Sequence, residues 1–244
     1  MRQGNIGVTV TSIGSTLDAI QYHDRLAIDW DQRYQKASFR ARLVALAECL
    51  DDKDLNGMKW LDAGCGTGTL SRWLVERGSA VLGVDAAPNM IASAVALANS
   101  EVSHGTPRFK HVETIARLPL DSQSADGILC SSVLEYVPDP EACLTEFARV
   151  LRPRGILVVS VPSAHSVIRR AQVRCSRLGR LFGKDWVPYL SYSKNQYLHP
   201  EFERVLKTHD FCIERALSFG GPLPRWLQRT YACGPLLMFA ARKI

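Results

Sequence analysis

The run Leu61-Asp62-Ala63-Gly64-Cys65-Gly66-Thr67-Gly68 sets a carboxylate before three glycines at alternate positions. Glycines let the backbone turn through positive φ and let a ligand approach with no Cβ in the way. A short apolar segment, Met58 to Leu61, precedes the run, and a helical pattern, Thr69 to Arg77, follows it. Strand, glycine turn and helix in that order form a cradle for a nucleotide-like ligand, and the N–H groups at the helix start favour anionic groups. The spacing narrows the ligand class. A dinucleotide fingerprint is G-x-G-x-x-G, and Thr69 stands where its third glycine would fall. A phosphate-binding loop needs a lysine after the last glycine, and none follows Gly68. The carboxylate of Asp62 would repel a pyrophosphate and attract a cationic amine.

A second acid ends the apolar run Ala80-Val81-Leu82-Gly83-Val84-Asp85. A carboxylate at the end of the second strand can accept the ribose hydroxyls of an adenosine ligand. The two motifs together resemble the class I S-adenosylmethionine-dependent methyltransferases, whose cofactor carries an ammonium and a sulfonium. The resemblance implies that Asp62, Ala63, Gly64, Cys65, Gly66 and Gly68 cradle this cofactor, and that Asp85 takes its ribose. Ala86 and Met90 would line the adenine. Asp85-Ala86-Ala87-Pro88-Asn89-Met90-Ile91 is similar to the family's turn into the next helix. Pro88 suits the first helical turn, where a missing N–H costs nothing.

Further resemblances follow in chain order, over about residues 56 to 162. Arg108 to Val112 reads as a strand, followed by Glu113-Thr114-Ile115-Ala116-Arg117-Leu118-Pro119-Leu120. Many family members have Asp-Ala where Thr114 and Ile115 stand, so Thr114 is expected to hydrogen-bond the adenine and Ile115 to pack on it. Glu113, one position away, is an alternative. Asp126 to Pro140 is similar to the family's fourth strand and the loop beyond it, whose end faces the reacting methyl. This places Cys130, Ser131 and Tyr136 beside the cofactor. Most members have histidine where Tyr136 stands. A phenol is a poor base at neutral pH, but it can orient a substrate. Leu151-Arg152-Pro153-Arg154-Gly155 resembles a turn with two glycines. Arg154 replaces the first, and Gly155 is expected to supply the flexible position.

These elements predict an α/β fold, a Rossmann-like seven-stranded mostly parallel sheet with helices on both faces, plus N-terminal helices and a lid insertion. The division read from the sequence is a helical cap over 1–50, a cofactor-binding core over 51–162, a lid over 163–197 and completion of the sheet over 198–244, all within one domain. Leu17 to Trp30 and Ser38 to Leu50 read as helices that close over the cofactor. In them Tyr22 and Trp30 are aromatic anchors, and Arg40 is a candidate for the cofactor carboxylate. Pro200 to His209 reads as a helix, and Phe211 to Leu217 with Leu236 to Arg242 as a closing strand pair.

The chain has 244 residues, a formal net charge of +6 and seven cysteines without C-x-x-C pairing. Scattered cysteines fit free thiols in a reducing cytoplasm rather than disulfides or zinc. Met1 to Thr16 is polar and lacks the pattern of a secretory signal. Asp121, Asp126 and Asp139 are too scattered for a metal site, so no metal is expected. No apolar run reaches the ~18–20 residues of a membrane span.

The lid carries His165, five aromatic residues and a set of arginines, of which Arg170, Arg174 and Arg177 share one helix face. That stripe is read either as a solvated basic face or as a contact for an acidic acceptor. Around Ser193 to Pro200 there is a local likeness to magnesium-protoporphyrin methyltransferases. The expected reaction is O-methylation of a small planar or apolar acidic molecule, bearing a carboxylate or phenol, with S-adenosylhomocysteine as the product. C- or N-methylation, RNA methylation and a non-methylating protein on the same fold are the alternatives. Methyl transfer is mostly positioning. The catalytic candidates are Tyr136, His165 and His199, with His23 as a further base.

Overall fold

Strands buried on both faces read as continuous apolar runs, and such runs form the centre of a parallel sheet. The computed structural model describes residues 16–100, 105–184 and 186–244, so the polar N-terminal reading lies outside the described residues apart from Thr16. Its strands are β1 (Lys59–Ala63), β2 (Ala80–Asp85), β3 (Arg108–His111), β4 (Ala125–Ser131), β5 (Leu151–Pro162), β6 (Phe211–Phe219) and β7 (Leu236–Lys243). They form one sheet in the order β3-β2-β1-β4-β5-β7-β6. β1 to β5 pair in parallel, and β7 runs antiparallel between β5 and β6. The expected seven-stranded, mostly parallel sheet is therefore the observed one. The order reverses between β1 and β4, and ligands of such sheets bind beyond the carboxyl ends of the strands at that point.

Alternating side chains feed two apolar layers. Leu61, Ile128 and Phe239 face one side, against Phe147 of α6 (Pro140–Val150) and Phe202 of α8 (His199–Thr208). Trp60, Leu129 and Met238 face the other, against Leu46 of α3 (Ala37–Cys49) and Leu74 of α4 (Thr69–Val75). The N-terminal helical stretch breaks into α1 (Thr16–Arg25), α2 (Ala27–Trp30) and a 3-10 turn over Asp31–Gln35 before α3. α5 (Pro88–Ser100) follows β2, α7 (Val167–Leu181) lies in the expected lid, and α9 (Arg225–Gln228) lies between β6 and β7.

The turn into β5 corrects one expectation. Arg154 itself adopts the left-handed backbone, at φ +63°, while Gly155 does not. A Cβ on Gly155 would lie 2.9 Å from the Arg152 carbonyl oxygen and 2.8 Å from a Leu151 methyl, so Gly155 is needed for close approach and not for flexibility. A left-handed non-glycine residue costs about 1 kcal/mol.

Candidate active site

The glycine run leaves β1 and turns into α4 at the carboxyl end of the sheet. Gly64 has φ +79°, and a Cβ there would sit 2.2 Å from a Val133 methyl. Gly66 has φ +53°, with the Trp30 indole nitrogen 3.3 Å from the place of its Cβ. Conformation disfavours a side chain at both positions, and at Gly64 space excludes one as well. Asp85, at the end of β2, accepts the Gly66 N–H at 2.8 Å on one oxygen and the Ala87 N–H at 2.9 Å on the other. Each oxygen retains a lone pair for a ligand. Burial raises the Asp85 pKa, against the lowering by these N–H groups.

Asp31, which the sequence reading passed over, ties the N-terminal segment to this loop. It accepts from the Thr69 hydroxyl at 2.8 Å and pairs with Arg72 at 2.9 Å. Arg72 in turn donates to the Thr67 carbonyl at 2.7 Å. Motif spacing gives no signal for a pair 41 residues apart.

A cavity of about 700 Å³ opens above the loop. Its lining includes Asp62, Gly64, Gly66, Asp85, Ala86 and Met90 from the glycine run and the β2 end, and Val137, Val187, Tyr189, Pro222 and Leu236 from later segments. His23, Tyr136 and a buried ion pair, Glu135 with Arg169 at 3.2 Å, line it as well. The Ser193 hydroxyl donates to Glu135 at 2.6 Å and accepts from Arg169 at 2.6 Å. The Lys194 N–H reaches the Glu135 carbonyl at 2.7 Å, and the Asn195 amide donates to the Leu134 and Val137 carbonyls at 2.8 Å each. The Ser193-Lys194-Asn195 segment is thereby fastened to the loop beyond β4. Tyr22 stacks on Tyr192 with ring centres 4.7 Å apart, so α1 meets the 163–197 segment beside the cavity that Tyr22 lines.

The structure gathers most of the residues picked from the sequence. Tyr22, Asp62, Gly64, Cys65, Gly66, Asp85, Ala86, Met90, Thr114, Ile115, Ser131 and Tyr136 all line the cavity. The rest lie elsewhere. Ala63 and Cys130 are fully buried within their strands, and Gly68 opens α4, backed by Phe109. Arg40 is exposed, whereas Arg33 and Arg42 line the cavity. His165 is exposed on the lid. The His199 ring packs between Tyr231 and Phe239, at 4.1 and 5.1 Å, away from the cavity. Arg170, Arg174 and Arg177 are exposed, and the inward arginine of α7 is Arg169, 4% exposed. Thr114 is engaged locally, accepting the Ala116 N–H at 3.1 Å. Burial raises the Tyr136 phenol and the Cys65 thiol well above their usual ranges, so both stay protonated. Phe39, Gly220 and Gly221 are among the lining residues that were missed. A Gly-Gly-Pro run is a turn signal, but nothing in Gly220-Gly221-Pro222 tells which cavity the turn borders.

Residues 61–159 match the family model described as a methyltransferase domain. The chain carries a methyltransferase domain over that segment. It is 32% identical over 172 residues to a ubiquinone biosynthesis O-methyltransferase of Idiomarina loihiensis, spanning 68% of this chain and 65% of that protein. It is 30% identical over 135 residues to a protein of the same name from Psychrobacter cryohalolentis, spanning 55% and 51%. The chain therefore covers between half and two thirds of these relatives. Magnesium protoporphyrin IX methyltransferase of Synechocystis shares the fold, with a TM-score of 0.70 at 20% identity over 94% of this chain and 99% of that one.

The cavity of the methyltransferase domain fits its cofactor chemically. S-adenosylmethionine has two vicinal hydroxyls, a flat base and a cationic end. The structure offers a carboxylate with open lone pairs, an apolar wall at Met90 and Ile115, and Asp62. Asp62 is 1% exposed and accepts the Ser71 hydroxyl at 2.6 Å. Burial pushes its pKa up to about 7. A carboxyl whose folded pKa exceeds its unfolded one stabilises the fold fully below the unfolded value, and that contribution is lost as pH rises through the folded value. Wild type should therefore lose on the order of 3–4 kcal/mol, relative to Asp62→Asn, between about pH 4 and about pH 7. Urea denaturation of both proteins across this window measures the difference. Parallel stability curves would contradict the shift.

Proposed function

We propose that this chain transfers a methyl group from S-adenosylmethionine to a hydroxyl of a small, planar, largely apolar molecule of the phenol or catechol type. The observation that carries this reading is one cavity lined both by the Asp85 and Gly66 cradle and by apolar side chains such as Val137, Pro222 and Leu236. In this reading Gly64 and Gly66 admit the cofactor backbone, Asp62 favours its ammonium and Asp85 holds its ribose. Ala86, Met90 and Ile115 pack on its base, and Thr114 borders it. When bound, the cofactor supplies an electrophilic methyl group. The chain's own residues supply alignment and exclusion of water. Val137, Tyr189, Pro222 and Leu236 favour a flat apolar acceptor, and Arg42 and Arg169 favour one with a partial negative charge. The O-methyltransferase relatives support a hydroxyl acceptor.

The reading excludes nucleic acid as the acceptor, because the exposed arginines of α7 are not part of the cavity wall. It includes a reducing, cytoplasmic setting, supported by seven free cysteines. Among the described residues no helix is long and apolar enough to cross a membrane.

The test is incubation with S-adenosylmethionine tritiated on the methyl group and a panel of catechols, phenols, carboxylic acids, amines and bulk RNA. Methyl ethers of the phenols or catechols are expected. Label found only on an amine, a carbon or RNA would overturn the reading.

A further inference from the structure

O-methylation at neutral pH needs a group that takes the hydroxyl proton, and Tyr136 does not provide it. We infer that His23 is the general base of this site. The inference rests on the proposed hydroxyl acceptor. His23 lies in the last turn of α1, and its ring lines the cavity with Tyr136 and Glu135. Its Nδ1 is 2.8 Å from the Ala19 carbonyl oxygen. A carbonyl only accepts, so Nδ1 carries the proton and Nε2 of the neutral ring keeps its lone pair.

Aromatic rings hold the imidazole in place. Tyr136 meets it edge-on at 4.7 Å between ring centres, with Tyr22 at 5.2 Å and Trp30 at 5.5 Å. Tyr136 stands in the loop beyond β4, which ends at Ser131. The packing thus brings an imidazole from α1 against that loop inside the cavity. The other candidates are excluded by place, since His165 is exposed and His199 is enclosed between Tyr231 and Phe239.

The charged groups that act on His23 are Asp85 from β2, Glu135 beyond β4 and Arg33 from the turn after α2, with the Tyr22 and Tyr136 phenols beside it. Burial lowers its pKa below 6.5 and outweighs the raising by the two carboxylates. The ring is therefore neutral and competent as a base at pH 7. In the step, the acceptor O–H bond breaks and its proton passes to Nε2. The freed oxygen electron pair forms the O–CH3 bond as the CH3–S bond breaks, and that bond's electron pair stays on sulfur. His23 then releases the proton to solvent.

The test uses the full chain and two acceptor probes, catechol and 4-nitrocatechol, of which only the latter is ionised at neutral pH. His23→Gln removes the base, and His23→Phe also keeps a ring in the aromatic cluster. Both are first checked by calorimetry for unchanged S-adenosylhomocysteine affinity. Turnover of catechol is expected to fall by about 100-fold or more, and turnover of 4-nitrocatechol by less than about fivefold. The acidic limb of the wild-type kcat profile should vanish in both variants. Nitrogen NMR of the ligand-free protein should show the Nδ1–H tautomer and a titration midpoint below 6.5. Equal losses on the two probes, an Nε2–H tautomer or a ring protonated at pH 7 would overturn the assignment. Wild type that binds no S-adenosylhomocysteine would instead overturn the underlying methyltransferase reading. Wild type that binds it but methylates neither probe would remove the hydroxyl acceptor, and the base with it.

Discussion

Asp85→Ala is expected to raise the dissociation constant for S-adenosylhomocysteine by about 100-fold or more, with the fold retained. A ligand ribose on Asp85 gains two hydrogen bonds to an ionised acceptor, worth roughly 1.5–3 kcal/mol each. The same carboxylate holds the Gly66 and Ala87 N–H groups at 2.8 and 2.9 Å, so its loss also frees the glycine loop that meets the ligand. Stability should change little. Burial already disfavours the ionised carboxyl, and its removal offsets the two lost backbone hydrogen bonds. Titration calorimetry with a thermal melt on each protein measures both quantities. Unchanged affinity would remove Asp85 from the ligand site.

Arg169→Met is expected to cost about 3–5 kcal/mol of stability, because it leaves Glu135 charged and buried without its cation. Both side chains are at most 5% exposed. Ser193 donates one hydrogen bond to Glu135, which does not replace a cation. The double variant Glu135→Leu with Arg169→Met should recover most of the loss, since an apolar pair of similar volume removes both desolvation costs. Urea denaturation of the wild type, the two single variants and the double variant closes the cycle. A loss below about 1 kcal/mol in Arg169→Met would show that the pair does not hold the lid to the loop beyond β4.

Much of the sheet was legible because its signals are local. β1, β2, β4 and β5 are apolar runs next to glycine turns or helix starts, and each is buried on both faces. The part of the cavity around the glycine run was legible for the same reason. Asp62, the glycines and Asp85 all sit at strand ends, where the order of elements fixes their place. The rest of the cavity wall depends on contacts between distant segments. Phe39, Gly220 and Gly221 converge only after the sheet is built, and nothing in their spacing announces it.

Helical periodicity revealed an arginine stripe on α7 but not which way the helix turns. Arg170, Arg174 and Arg177 face solvent, and the neighbouring Arg169 turns inward to a partner 34 residues away. Arg40 and Arg42 repeat the lesson on α3. Two residues along a helix is about 200° of rotation, so one is exposed while the other reaches Ser132 at 3.4 Å and covers the Phe39 ring.

We propose that the cavity beyond β1 and β2 holds S-adenosylmethionine. Titration calorimetry of the wild-type chain with S-adenosylhomocysteine and S-adenosylmethionine tests it most directly. One-to-one binding of both in the micromolar range is the predicted result. A folded protein that takes up neither would contradict the account, however well the sheet and its loops match the family.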